Sequence, residues 1–558
     1  MHTRPNIGIK NTARRHFDRS SFASPAIAAA LIVVLAIEFY LFARVQNIWA
    51  DETTQLSGIT LNFWEMIRWL SGAYPDRLGV PGDRMPPVSY ILDWLWLHLF
   101  GPSEIGFRLF HSAFVIAGTC CLAAAAWREL GRPAMIVSLG FLILSPKLIQ
   151  TGVEIRAYPI FFAITCAQVA VFMRLVADPT KLDLKLLTIF AVICLLAIYT
   201  HYYGVVSSCT FFLVLGIAFL RRFAALTRII GTFVIVIVAS LPLIPFVSAA
   251  ARVPMFEPDA AAGHVIANKP VIQHYLTYLL KLVGDPANMI SVSASILFFG
   301  GTIALLGVSM FAAVVRVRNE NLKLIDCLTA VVVFGVLATI GASFFVGTAV
   351  DVLKASYSVW LLVPISLLVG ASATSVSRFR LWDVAGRKVA TGALLAGAGI
   401  SIYLFFENAS LFVHGPDRFI SAVYDKAVGP KAIVYENGAA WVWSYLPLHY
   451  SHHGDVVQYW EPDSGGGLVR AGPRGTEAAV QEIEATLAPY HVLLLVDIRL
   501  RTYRDLRQCL NQSGACPDFP SGAIERALVG AGKWRKTEKN RTLGFWDSQI
   551  TIVERAEN

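Results

Sequence analysis

Eleven apolar runs leave this chain few ways to fold. They lie near residues 24–45, 105–126, 133–150, 158–173, 186–203, 205–220, 229–250, 292–315, 325–347, 358–377 and 389–406. A hydrocarbon core of about 30 Å is crossed by roughly 20 helical residues at 1.5 Å each. The pattern therefore predicts an all-α polytopic membrane protein of about eleven transmembrane helices. Composition agrees: 56% of residues are apolar, 15% are charged against roughly 25% in soluble proteins, and the mean hydropathy is +0.58. Ordinary Gly and Pro content and only eight Cys in 558 residues exclude a disordered chain, a coiled coil or a disulfide-dense secreted module.

The distribution of Lys and Arg orients the spans, because short cytoplasmic loops concentrate them. With the N-terminus inside, segments 1–20, 127–132, 174–185, 221–228, 316–323 and 378–388 hold 20 basic residues in 65. The opposite loops, 46–104, 151–157, 201–204, 251–291 and 348–357, hold 8 in about 121. An odd number of spans then puts residues 410–558 outside. The basic excess is thus a topology signal rather than a nucleic-acid footprint: 31 basic and 21 acidic residues precede position 410, whereas the tail carries 16 and 17. The first run follows the basic stretch NTARRHFDRS and has no small-residue cleavage motif before Asp51, so it reads as an anchor. Three units are expected: a cytoplasmic N-terminus over 1–20, a transmembrane domain over 21–409 with a long first outer loop at 46–104, and a soluble outer domain over 410–558.

The tail reads as a small α/β domain. KAIVYENG, GDVVQYWEP and HVLLLVDIRL have the character of short strands, and GTEAAVQEIEATLAP that of an amphipathic helix before the third. It carries no P-loop, no GxGxxG after a strand and no HExxH, and Trp460, His452 and His453 read as surface or packing residues. Six cysteines sit within spans, where a thiol acts as a small apolar group, while Cys509 and Cys516 flank the short loop CLNQSGAC. In an oxidising compartment that pair reads as a disulfide worth roughly 2 to 2.5 kcal/mol; in a cytosolic tail it would be two thiols. No further Cys or His lies at metal-ligand spacing, and the sequence leaves a divalent-cation requirement open. A tag within 410–558 is expected to be accessible from outside the cytoplasmic membrane, with Cys509 and Cys516 resisting alkylation until reduced. Alkylation of both in fresh membranes without reductant would overturn this topology.

Polar residues gather at the outer ends of the spans. WADETT puts Asp51 and Glu52 directly after the first span, and adjacent carboxylates at a membrane boundary are costly unless solvated, paired or used. The simplest reading of the pair is a solvated helix end. Within the loop, LNFWEMIRWL and PPVSYILDWLWLHLF are aromatic and apolar but too interrupted to span, so they are expected to lie in the interface. The third span is followed by Glu154, Arg156 and Tyr158, the fifth by His201, Tyr202 and Tyr203, and the tenth is preceded by Lys354 and Tyr357. A phosphate at headgroup level takes cations, a hydroxyl nucleophile takes a carboxylate, and a sugar ring takes aromatics. Glu38, inside the first span, is a functional candidate by its position or the partner of a neighbouring Arg.

The ordered motifs W-x-D-E, R-M-P-P-V-S-Y, LFGPSEIGFRLFHS, E-I-R-A-Y-P and T-H-Y-Y-G resemble the C-type glycosyltransferase superfamily. The likeness is to bacterial relatives of protein O-mannosyltransferases and of lipid A aminoarabinose transferases. It covers residues 24 to about 410 and is strongest over 46–204. The resemblance implies a multi-pass enzyme of the bacterial inner membrane. Such an enzyme moves a sugar from a polyprenyl-phosphate carrier to a hydroxyl of a glycolipid, glycan or protein on the outer face, normally with inversion. By the same resemblance Asp51 is the general base, and Glu52 orients the acceptor or keeps Asp51 ionised. Arg156, Lys354 and Arg84 would meet the donor phosphate, and Glu154, Tyr158, His201 and Tyr202 would line the donor and acceptor pocket. Relatives often place Lys or His immediately before P-P, where this chain has Met85, a departure that weakens the assignment of Arg84. Arg108 reads as a tie between the loop and the bundle. Two other classes fit a basic-inside multi-span chain. A secondary transporter should carry ionisable groups at midplane and repeated halves, and a membrane scaffold with an outer binding domain should be indifferent to Asp51.

Overall fold

The structure is a computed structural model. It describes residues 23–48, 50–73, 85–177, 181–252, 278, 282, 324–346, 357–376, 417–435, 456–457, 460–462, 468–470, 487–500, 523–542 and 546–556. Its first part is a bundle of apolar helices. Helices α1 (Ala23–Val45), α5 (Glu104–Leu130), α8 (Ala157–Ala177) and α13 (Leu324–Val346) are each long and apolar enough to cross a membrane, as is the stretch Phe223–Ala250. Shorter apolar helices are α6 (Arg132–Ile143), α9 (Leu184–Thr200), α10 (Tyr203–Ala218) and α14 (Leu362–Val376), the last preceded by a single turn at Val359–Leu361. Of the expected runs, 292–315 and 389–406 lie outside the described residues.

Two expected spans are interrupted, both at proline. The run at 133–150 divides into α6 and α7 (Pro146–Gly152). Ser145 precedes a proline and is extended, at φ −89° and ψ 103°, and its hydroxyl caps the Leu148 N–H of the next helix. The run at 229–250 becomes α11 (Phe223–Ser240), a 3-10 turn at Leu241–Leu243 containing Pro242, and α12 (Ile244–Arg252). Elsewhere the helices pack closely. A Cβ on Gly118 of α5 would stand 2.7 Å from the Ala163 backbone of α8, so glycine is what lets these two spans touch.

Between α1 and α5 the described residues of the first loop form three helices: α2 (Ala50–Ile59), α3 (Phe63–Leu70) and α4 (Pro87–Phe100). Asn62 caps α3 by accepting from the Glu65 N–H at 2.9 Å, and Pro87 supplies the pre-set first turn of α4. Both helices bury one face, with Met66, Trp69 and Leu70 on α3 and Ser89, Tyr90 and Asp93 on α4. Trp64, Leu99 and Phe100 stay exposed, as expected of segments that meet an interface rather than cross it. The Trp94 indole donates to the Leu61 carbonyl at 3.1 Å and joins the two helices.

The tail forms a five-stranded mixed sheet in the order β2-β1-β5-β7-β6. Its strands are β1 (Lys431–Tyr435), β2 (Val456–Val457), β5 (Val492–Leu500), β6 (Trp534–Thr542) and β7 (Trp546–Arg555), and β3 (Trp460–Pro462) pairs with β4 (Leu468–Arg470) in a separate ribbon. Alternation along β5 sends Val492, Leu494 and Val496 to one face, against Ile420 and Val423 of α15 (Asp417–Lys426). Leu493 and Leu495 go to the other face, against Leu528 of α16 (Ala523–Gly530) and Trp534. The α/β character read from the tail is therefore realised, with β6, β7, α15 and α16 added to it. Of the helix expected over 475–489, Leu487 to Pro489 are among the described residues, with Leu487 in helical conformation.

Candidate functional site

Helix α2 is polar, ADETTQLSGI, yet every side chain described in it is buried. A carboxylate pair in its first turn suits the positive end of the helix dipole. Glu52 is fully buried and is not the solvated helix end that an acidic pair at a boundary first suggests. Its carboxylate accepts from Arg108 Nη1 at 2.8 Å and Nη2 at 2.9 Å, a two-pronged contact, and from the Ile155 N–H at 2.8 Å. Arg108, in the second turn of α5, also donates from Nη1 to the Val153 carbonyl at 3.0 Å and from Nε to Glu104 at 3.1 Å. The Ser112 hydroxyl lies 2.8 Å from the Arg108 carbonyl and 3.1 Å from that of Gly152. One ion pair thus ties α2, α5 and the unwound link between α7 and α8. The backbone of Asp51 lies in α2, and its side chain falls outside what is described.

A second buried network lies one turn further along both helices. Gln55 Nε2 donates to Asp93 Oδ2 at 2.8 Å, and His111 Nε2 meets Asp93 Oδ1 at 2.8 Å. All three side chains are fully buried. None was singled out in the sequence. Asp93 is the only acidic residue in PVSYILDWLWLHLF, which was the available signal.

The same unwound link leads to an aromatic group. Arg156, buried and adjacent to the residue that Glu52 holds, places its Cζ 5.9 Å from the Tyr158 ring centre. Tyr158 lies 5.4 Å from the His201 ring and 5.9 Å from Tyr357. His201 stacks on Phe161 at 5.1 Å, accepts the Tyr203 N–H through Nδ1 at 3.1 Å, and lies 5.6 Å from Tyr357. Tyr203 is 5.6 Å from Tyr357. Residues 43 and 199 positions further along the chain, His201 and Tyr357, thereby converge on Tyr158. It is Tyr203 that joins His201 here, while the Tyr202 hydroxyl donates to the Phe246 carbonyl of α12 at 3.3 Å. Glu154 is buried in the link itself. Lys354, Arg84, Cys509 and Cys516 lie outside the described residues, although Tyr357, three residues beyond Lys354, is within the aromatic group. Glu38 is buried in α1, and among the described residues no donor meets either of its oxygens, so no Arg pairs with it there.

With long apolar helices followed by a C-terminal sheet domain, the chain shares its fold with a membrane protein of known structure. The particular likeness is to ArnT from Cupriavidus metallidurans in the apo state, with a TM-score of 0.51 over 95% of this chain and 98% of that one at 12% identity. The same protein bound to undecaprenyl phosphate gives 0.44 over 94% and 97% at 11% identity. The Archaeoglobus fulgidus oligosaccharyltransferase in complex with Zn and sulfate gives 0.47 over 83% and 67% at 11% identity. No family model matches the chain, and no curated protein sequence does.

Proposed function

We propose that this protein is a transferase of the bacterial inner membrane. It moves a sugar from a polyprenyl-phosphate carrier to a hydroxyl acceptor, a glycolipid, glycan or protein, on the periplasmic face. Its N-terminus is cytoplasmic, and residues 21–409 carry the reaction while 410–558 form the periplasmic domain. The observation that carries this reading is continuity: α2, which bears Asp51, is bonded through Glu52 to Ile155, and the adjacent Arg156 opens onto the ring group of Tyr158, His201 and Tyr357. The helix bearing the acidic pair, a cation and aromatic rings are thus joined in one continuous run of contacts.

In this reading Asp51 takes the proton of the acceptor hydroxyl as its oxygen attacks the anomeric carbon in line, which inverts that centre. The bond to the carrier phosphate breaks, and its electron pair leaves with the phosphate oxygen. Arg156, with Lys354 and Arg84 as further cations, stabilises the charge gathering there. The rings, with Glu154, hold the sugar. Glu52 acts through Arg108 and the 153–156 link, keeping α2 and that link in register.

Arg156→Ala tests the donor site. Loss of one charge-assisted contact of about 1.5 to 3 kcal/mol corresponds to roughly a tenfold to hundredfold weaker affinity for the polyprenyl phosphate. Arg156→Lys should recover part of it as a point charge without the fork. The measurement is donor binding and turnover in proteoliposomes at matched folded protein. Parent-like values in the Ala variant would remove Arg156 from the site.

A further inference from the structure

The network of Gln55, Asp93 and His111 has no part in the steps above, yet it is built into the helix that presents Asp51. Glu52 and Gln55 are three residues apart on α2, and their partners Arg108 and His111 are three apart on α5. Each helix therefore offers one stripe of polar residues to the other side of the joint. Three residues further along α2, a Cβ on Gly58 would stand 2.6 Å from the Trp69 ring and 2.8 Å from Tyr90. The helix is thus held at every turn: by an ion pair, by a carboxylate bridge and by close packing.

Stability alone does not account for the middle contact. A well-packed apolar core generally matches or exceeds a buried polar cluster in stability. Moreover, among the described residues His111 Nδ1 and Gln55 Oε1 are buried with no hydrogen-bond partner, while the atoms aimed at Asp93 are satisfied. The network costs stability at its two outer atoms while fixing the direction of its three side chains. Asp51 is one turn before Gln55 on the same helix, so a turn of α2 locked at 55 is a turn locked at 51.

We propose that Asp93 and His111 are a positioning pair for the transfer reaction, holding Gln55 and so the orientation of the first turn of α2. This rests on the reading of Asp51 as base. The pair touches no reacting atom and takes no proton from substrate; His111 donates to Asp93 through Nε2, and the carboxylate receives Gln55 on its other oxygen.

Two polar replacements separate positioning from folding. The amide N–H of His111→Gln reaches the place of Nε2 and still meets Asp93, whereas that of His111→Asn stops near the place of Nδ1. Misplacing a reacting group by about 1 Å costs up to about 100-fold, so His111→Asn should lower kcat by roughly 10- to 100-fold while KM for the polyprenyl-phosphate sugar holds and His111→Gln stays within about threefold of the parent. Amide hydrogen exchange over residues 50–59 should quicken in the Asn variant alone. Equal losses in both variants, unchanged kcat in the Asn variant, or a loss carried by KM would overturn the pair's role. If the parent itself turns over no polyprenyl-phosphate sugar, the functional reading fails and exchange decides the clamp by itself. Faster exchange over 50–59 in Asn but not Gln then supports it, and unchanged exchange overturns it.

Discussion

Replacing Asp51 with Asn is expected to slow sugar transfer by about 10² to 10⁴, the span of a positioned general base, or roughly 3 to 5 kcal/mol of transition-state stabilisation. Asn keeps size and polarity and cannot take a proton, so insertion, the α2 contacts of Glu52 and Gln55, and donor binding should all persist. The measurement is turnover of a polyprenyl-phosphate sugar in proteoliposomes at equal folded protein, beside a direct measure of carrier binding. A variant within about threefold of the parent, against the 10² minimum of a lost base, would sink the mechanism. It would also return the scaffold reading, in which the acidic pair is incidental. A transporter makes a different forecast: movement of a solute down its gradient without any sugar leaving the carrier.

The bundle was legible because a membrane leaves little choice. Backbone groups in hydrocarbon must be satisfied within helices, so apolar length alone marks the spans from Ala23–Val45 to Leu362–Val376. The breaks at Pro146 and Pro242 were legible in principle too, since proline ends a helix for a local reason. The meeting of E-I-R-A-Y with T-H-Y-Y-G followed from alternation of span direction, which brings the ends of α9 and the start of α8 to one side. What alternation could not decide was which tyrosine of the pair turns inward. His201 is extended, at φ −150° and ψ 139°, and α10 restarts at Tyr203, so a one-residue difference sends Tyr203 to the cluster and Tyr202 to Phe246. The long-range polar contacts were likewise unreadable. Nothing local to Glu52 announces a partner 56 residues away, and Asp93 and His111 look from the sequence like lone polar residues in apolar helices. In the tail, β6 reads WRKTEKNRT, with no alternation to mark it. It is the edge of the sheet, where exposed charge protects against pairing with other chains and only Trp534 need turn inward.

The largest structural effect should come from Arg108. Its side chain and that of Glu52 are both fully removed from solvent, and leaving one of a buried pair without the other typically costs about 3 to 5 kcal/mol. Arg108→Leu removes the pair and also takes the donor from the Val153 carbonyl, so three elements lose their common tie. Arg108→Lys keeps the charge but offers neither the fork to Glu52 nor the Nε contact to Glu104, and should fall between Leu and the parent. Glu52→Gln leaves the guanidinium buried beside a neutral amide, and its loss should appear first as less folded protein. Thermal midpoint and monodisperse yield in detergent measure this, with turnover normalised to folded molecules measured alongside. An Arg108→Leu protein as stable as its parent would mean that the pair is not a structural tie. A Glu52→Gln protein of normal stability whose normalised turnover collapses as far as that of Asp51→Asn would move Glu52 from holding the site to performing the chemistry. The pair's geometry argues against that outcome: both oxygens of Glu52 already face the two nitrogens of one guanidinium, and one of them also receives a backbone N–H. With both oxygens occupied and the side chain fully buried, Glu52 has no face left for an acceptor hydroxyl to approach. That geometry is why the base proposed above is Asp51 and not Glu52.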